Sequence, residues 1–320
     1  MKLKDVTWRL VYDRLWLRFS GEEFRFEDAL EVIFGEKFSN KEIKYVSKLL
    51  NEIEDNAYAI HTRASYDRRV RLYKLLNPEK VSNARAILQK VHQRGNAYTF
   101  SDLAKEAFKS VNWNYMYIKD SAVGFYSKYY RSVDVHHLSI KKEDLDGWIA
   151  LFKFWNFQIL LNGEIVHESK FKKQAIHLHT DLDNRNDQIA EMTNLHYQPP
   201  HYTIAESLED NDVLGALSVM IRSKNTLIWD KVIEAAKEYR VINTLGFCMD
   251  AINKEANREI FSEKLIEKVE KLIEKRIEVI EAIPELGTTE YANFKPLEKK
   301  WNVNCHQANI FTKAVEDLVK

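Results

Sequence analysis

Ser39 is followed three residues later by Glu42, and an apolar series at helical spacing comes next: Ile43, Val46, Leu49, Leu50 and Ile53. A serine and a glutamate at that spacing can each satisfy the other's orphan backbone donor, so the pattern fixes a helix start at Asn40. The helix runs to about Asp55. Two earlier helices are predicted. Thr7–Phe19 carries Trp8, Val11, Tyr12, Leu15 and Phe19 on one stripe, and Phe26–Phe34 carries Ala29, Leu30 and Ile33, with Gly35 closing it. Two β-like runs follow, Tyr58–Thr62 and Val70–Leu75, joined by the polar turn Ala64-Ser65-Tyr66-Asp67.

Three helices followed by a β-hairpin is the order of a winged helix, and residues 1–80 are expected to form one. The third helix leaves Asn40, Lys41, Lys44, Tyr45, Ser47 and Lys48 opposite its apolar face. The hairpin adds His61, Arg63, Arg68, Arg69 and Arg71. From Tyr58 to Leu76 there are five Lys/Arg and one Asp, a local charge of +4 in a chain whose 48 basic and 48 acidic residues cancel. Short polar and basic side chains on such a helix read a major groove, and arginines on a hairpin meet phosphates. The expected DNA-binding residues are therefore Asn40, Lys41, Lys44, Tyr45, Lys48, His61, Arg63, Arg68, Arg69 and Arg71. Solvation of a surface hairpin is the plainer explanation of the same charges.

At 320 residues the chain exceeds one ordinary core, so further domains are expected. A connector helix is read at 81–97, centred on Asn83–Arg94. Strands then alternate with helices over 98–200: helix Phe100–Phe108, strand Tyr115–Ile118, helix Ala122–Tyr130, strand Val133–Ile140, helix Lys142–Phe154, then strands Phe157–Leu161, Glu164–His167 and Ala175–Thr180. After Pro199-Pro200 the region 201–283 reads as helical. It ends in a long charged helix, Arg258–Ile283, with Leu265, Val269, Leu272, Ile273 and Ile280 as its seam. Residues 284–320 read as a tail closing on a helix Asn304–Val319. The fold class is α+β: a winged helix, an α/β domain and a helical C-terminal part.

Cys248 and Cys305 lie far apart and form no disulfide framework, the N-terminus has no signal-peptide core, and no apolar stretch is long enough to span a bilayer. A cytoplasmic, soluble protein is expected. Its Lys-, Glu- and Ile-rich composition is archaeal or thermophile-like.

The segment Leu227–Phe247 carries Trp229, Ala235, Ala236, Leu245, Gly246 and Phe247 in a helical pair, preceded by Tyr202–Asp210. It resembles a pattern of AbiEi-type proteins, antitoxins and transcriptional autoregulators of type IV toxin–antitoxin systems. The resemblance implies a winged helix followed by an α/β domain, repression of the protein's own operon, and a cognate toxin as partner; a homodimer is open to it. The segment after 258 has no counterpart in that pattern. Ala122–Ile140 is in turn similar to a nucleotidyltransferase motif, with Arg131, Ser132 and Asp134 fitting. His136 stands where a second metal-binding aspartate belongs, and Asp120-Ser121 where a glycine pair belongs. Two-metal phosphoryl transfer lacks its ligands there, so no enzymatic activity is expected.

His177, His179, Asp181 and Asp183 alternate along one strand face and could supply metal ligands. They are equally explained as the solvent face of a half-buried strand, so no metal or other cofactor is expected. Double-stranded DNA is the expected partner. The alternatives are a nucleotidyltransferase-like enzyme and an adaptor that uses the 258–283 helix.

Overall fold

A computed structural model describes residues 6–67, 69–93, 99–127, 135–169, 174–184, 190–192, 195–284 and 287–319. The chain is a mixed α+β protein with two compact units: Met1–Met116 with Asp134–Asn186 and Thr193–Leu195, and Tyr117–Val133 with Asp187–Met192 and His196–Lys320.

The first unit opens with α1 (Trp8–Phe19), β1 (Glu23–Arg25), α2 (Phe26–Phe34), α3 (Asn40–Asp55), β2 (Ala59–Arg63) and β3 (Arg71–Leu75). The predicted cap of α3 forms: Ser39 N donates to Glu42 Oε2 at 2.6 Å, and Glu42 N donates to Ser39 Oγ at 3.4 Å. The hairpin pairs Ala59 with Leu75 through to Arg63 with Arg71, and β1 lies antiparallel on the far side of β3. Strand β1 is not foreseen by the sequence pattern. It spans three residues and is fixed by pairing Phe24 with Tyr73, some fifty positions away. The inward faces of α1, α2 and α3 pack with Phe24 and Tyr73 into one core, and the Tyr12 hydroxyl donates to Leu76 O at 2.8 Å.

The unit continues through α4 (Pro78–Gln93), α5 (Phe100–Val111) and β4 (Tyr115–Tyr117). The chain then enters the second unit with α6 (Lys119–Ser127) and returns with β5 (Val135–Ile140), α7 (Leu145–Phe154), β6 (Gln158–Leu161), β7 (Glu164–His167) and β8 (Ala175–His179). Their order in the sheet is β7-β6-β8-β5, with β5, β8 and β6 parallel and β7 antiparallel to β6. His136, Leu138, Ile159, Ile176 and Leu178 face α5 and α7; Phe100 of α5 stacks on His136 at 4.7 Å and touches Phe152 of α7 at 5.3 Å. Two short strands that the sequence pattern does not announce come next, β9 (Ala190–Met192) and β10 (Leu195–Tyr197).

The second unit holds α8 (Pro200–Glu209), α9 (Val213–Arg222), α10 (Trp229–Glu238) and α11 (Ile242–Ala256). Helix α11 is buried along nearly all of Ile242–Ile252. The predicted helix Arg258–Ile283 does not form. Helix α12 occupies only Glu263–Glu270, the chain then turns, and Glu278–Ile280 is strand β11. No glycine or proline interrupts 258–283, so local sequence gives no warning. Tertiary bonds decide the outcome. Buried Asn243 donates to the carbonyls of Glu274 and Arg276 and accepts from Glu274 N, while Glu278 accepts from Thr244 N and Oγ1. The adaptor reading loses the element it rested on.

The predicted last helix is also shorter. Residues 295–319 form α13 (Lys295–Trp301), β12 (Val303–Cys305), α14 (Asn309–Ala314) and one π-helical turn, with β12 parallel to β11. Trp301 and Phe311 join the α11 core, so this segment is structural rather than a tail. Among the described residues, no helix is long and apolar enough to cross a membrane.

Candidate nucleic-acid interface

The cap at Ser39 sets the phase of α3. With Val46, Leu49, Leu50 and Ile53 turned inward, Asn40, Lys41, Lys44, Ser47 and Lys48 are left exposed. The hairpin rises beside this face. Between them runs a groove of about 670 Å³, lined by Arg25, Phe26, Lys44, Ser47, Arg69 and Arg71 among others, with Glu27 the single carboxylate among its described lining residues. Four cations against one carboxylate give the groove a positive field although the whole chain is neutral.

The expected residues divide. Asn40, Lys41, Lys44 and Lys48 are exposed on α3, and Lys48 lies 3.6 Å from Glu52. Arg63, Arg69 and Arg71 are exposed on the hairpin, with Arg69 held at 3.3 Å by Asp67. Tyr45 is half-buried rather than outward, and its hydroxyl donates to Val6 O at 2.7 Å. His61 is likewise turned away from the groove: its Nδ1 is 2.6 Å from Glu54 Oε1 and its ring lies 5.9 Å from that of Tyr73. Arg68 lies outside the described residues. Arg25, missed in the sequence, joins the groove because β1 brings it beside the hairpin, where its guanidinium sits 5.5 Å from the Tyr66 ring. Local pattern offers no handle on it, since its place depends on the β1–β3 pairing.

Arg71 also lines a second cavity, of about 840 Å³, with Glu54, His61, Arg63, Lys153 and His167. Burial lowers Lys153 to about 8, with Glu54 and Asp55 opposing the shift, and its ammonium donates to Ala59 O at 2.7 Å. Burial first, then the charges of Lys153 and His61, lower His167 to about 4, and its buried Nε2 has no hydrogen-bond partner among the described residues. Carboxylates and cations are mixed in this lining, so it selects no single class of ligand.

The residues considered for metal or catalysis are rearranged. Arg131, Ser132 and Asp134 lie outside the described residues. His136 faces the helices and stacks on Phe100. Asp181 does not continue the His177–His179 row as a third ligand: its Oδ1 accepts from Ser139 Oγ at 2.6 Å. His137 from β5 takes that place instead, with Nδ1 3.1 Å from His179 Nε2. Cys248 is buried in the α11 core, and burial pushes its thiol well up. Trp113, Tyr115 and Tyr117 are also core.

No family model, no curated protein and no solved structure matches this chain.

Proposed function

We propose that the chain is a transcriptional regulator that binds double-stranded DNA through a winged helix made of α1, α2, α3 and the β1-β3-β2 sheet, with α3 in the major groove and the β2–β3 hairpin as its wing. The observation that carries this reading is the cationic groove between the exposed face of α3 and the hairpin, lined by Arg25, Lys44, Arg69 and Arg71. Such a surface meets phosphates on both sides of an inserted helix. The AbiEi-type resemblance around Trp229–Phe247 adds the narrower reading of an antitoxin that represses its own operon, located in the cytoplasm and partnered by a toxin. A catalytically silent second part belongs to the same reading.

The test is a titration of duplex DNA at several salt concentrations with the full chain and with Arg63, Arg69 and Arg71 replaced together by Ala. Affinity falls for every sequence, and the slope of log affinity against log salt shrinks by about 0.9 for each phosphate no longer neutralised. An unchanged slope removes the hairpin from the interface; absence of binding by the unaltered chain overturns the reading.

A further inference from the structure

The sheet of the first unit gathers three imidazoles that DNA binding leaves unused. His177 and His179 are two residues apart on β8 and therefore share a face. The parallel register sets His137 beside His177 and Ser139 beside His179, which brings His137 to that same face. A ring nitrogen from each of the three lies within 4.8 Å of those of the other two, and all three side chains are half-buried.

The spacing is that of a coordination shell. Two imidazole nitrogens bound to one tetrahedral zinc at about 2.0–2.1 Å stand roughly 3.3 Å apart. His137 Nδ1 and His179 Nε2 already stand 3.1 Å apart. Without an ion, one proton must bridge that pair; an ion would take the proton's place. Paired β-strands hold the rings, so little ordering remains to be done on binding. Gly163 N donates to His177 Nε2 at 2.9 Å, and an ion taking that nitrogen displaces this hydrogen bond. Both residues of the turn Asn162-Gly163 between β6 and β7 are exposed, so water can take over the freed Gly163 N–H.

The geometry points to a binding site for one transition-metal dication of the zinc, cobalt or nickel kind, held by His137, His177 and His179, with the fourth position left to water or an outside ligand. An all-imidazole donor set favours these ions over magnesium and calcium, which take oxygen ligands. Asp181, fixed by Ser139 close to this face, adds negative charge nearby without being a ligand. The proposal departs from the expectation of no metal: the sequence shows the His177–His179 pair, but only the β5–β8 register supplies the third imidazole. It is independent of the DNA-binding proposal.

The experiment uses the full chain without a histidine tag, stripped with a chelator and titrated with Zn²⁺, Co²⁺ and Mg²⁺. One Zn²⁺ per chain is retained through gel filtration, Co²⁺ gives the visible absorption of a four-coordinate nitrogen site, and Mg²⁺ is not retained. His137→Gln and His179→Gln each lose the stoichiometric ion while keeping the circular dichroism of the unaltered chain. His201→Gln, at a half-buried histidine on α8, keeps it. Should a ligand variant fail to fold, the cobalt spectrum of the unaltered chain still decides. No retained Zn²⁺ and no cobalt absorption in the unaltered chain, or retention undiminished in both folded ligand variants, overturns the proposal.

Discussion

The indole of Trp301 lies flat against the backbone of Gly246, so close that a β-carbon at 246 would sit 2.0 Å from the ring atom Cζ3. Asp250, one turn further along α11, accepts from the same indole Nε1 at 2.7 Å and is itself held by Lys300 at 2.8 Å, so the ring cannot slide away without breaking its bond to a fixed carboxylate.

Gly246→Ala therefore sets two effects against each other. Alanine in a helix interior gains up to about 1 kcal/mol over glycine, whereas overpacking a filled core costs about 1–3 kcal/mol. With backbone on one side and a pinned indole on the other, the clash dominates. Urea denaturation is expected to show net destabilisation. Gly124→Ala in α6 is the control, because no atom of the described residues lies within 4 Å of the place its β-carbon would take, which leaves the helix gain. It should be neutral to stabilising.

Asn243→Ala is expected to cost about 3 kcal/mol, since it strips a buried side chain that serves three backbone groups of Glu274 and Arg276. Asn243 holds the turn that ends α12. Chemical denaturation checks the cost, and faster proteolysis around 271–277 would localise it.

This turn also marks the limit of what the sequence discloses. Helix α3 is legible to the residue because its cap and its stripe are local. The same rules applied to 258–283 extend a helix through Glu274, for the bonds that stop it come from Asn243 and Thr244, some thirty positions earlier. Strand β1 is hidden for the same reason: three residues carry no period. At the candidate interface, local pattern places Lys44 and Arg71 on the surface. It cannot show that Tyr45 reaches back to Val6 or that Arg25 comes forward.

Two windows of pH dependence follow from the second cavity. His167 is held down to about 4 when folded against an ordinary value of 6.5, so between those values the unfolded chain binds more protons. Stability therefore falls as pH drops from about 6.5 toward 4. Lys153 is held down to about 8 against 10.5, and by the same sign stability rises as pH climbs from about 8 to 10.5. His167→Leu should flatten the acid limb and Lys153→Met the alkaline one. Thermal melts across pH measure both; an acid limb unaltered in the His167 variant would locate its origin elsewhere.

Tyr45 and Lys44 are neighbours with opposite expected behaviour. Tyr45→Phe removes the bond to Val6 O and should cost about 1 kcal/mol of stability with duplex affinity unchanged. Lys44→Glu should leave stability within about 0.5 kcal/mol, as exposed substitutions do, and weaken DNA binding with a smaller salt slope. Parallel melts and duplex titrations of the two variants separate the roles.

The core around α11 also imposes an order on synthesis. Helix α11 is buried along nearly all of Ile242–Ile252, yet Trp301 and Phe311, which cover part of it, are translated some fifty or more residues after it. During that interval a ribosome displays Leu245, Phe247 and Met249 with part of their packing still inside the exit tunnel. Domains generally fold as units once their residues are out, and exposed apolar surface invites aggregation meanwhile. Nascent chains stalled just past 283 are thus the stage at which a chaperone has most to hold.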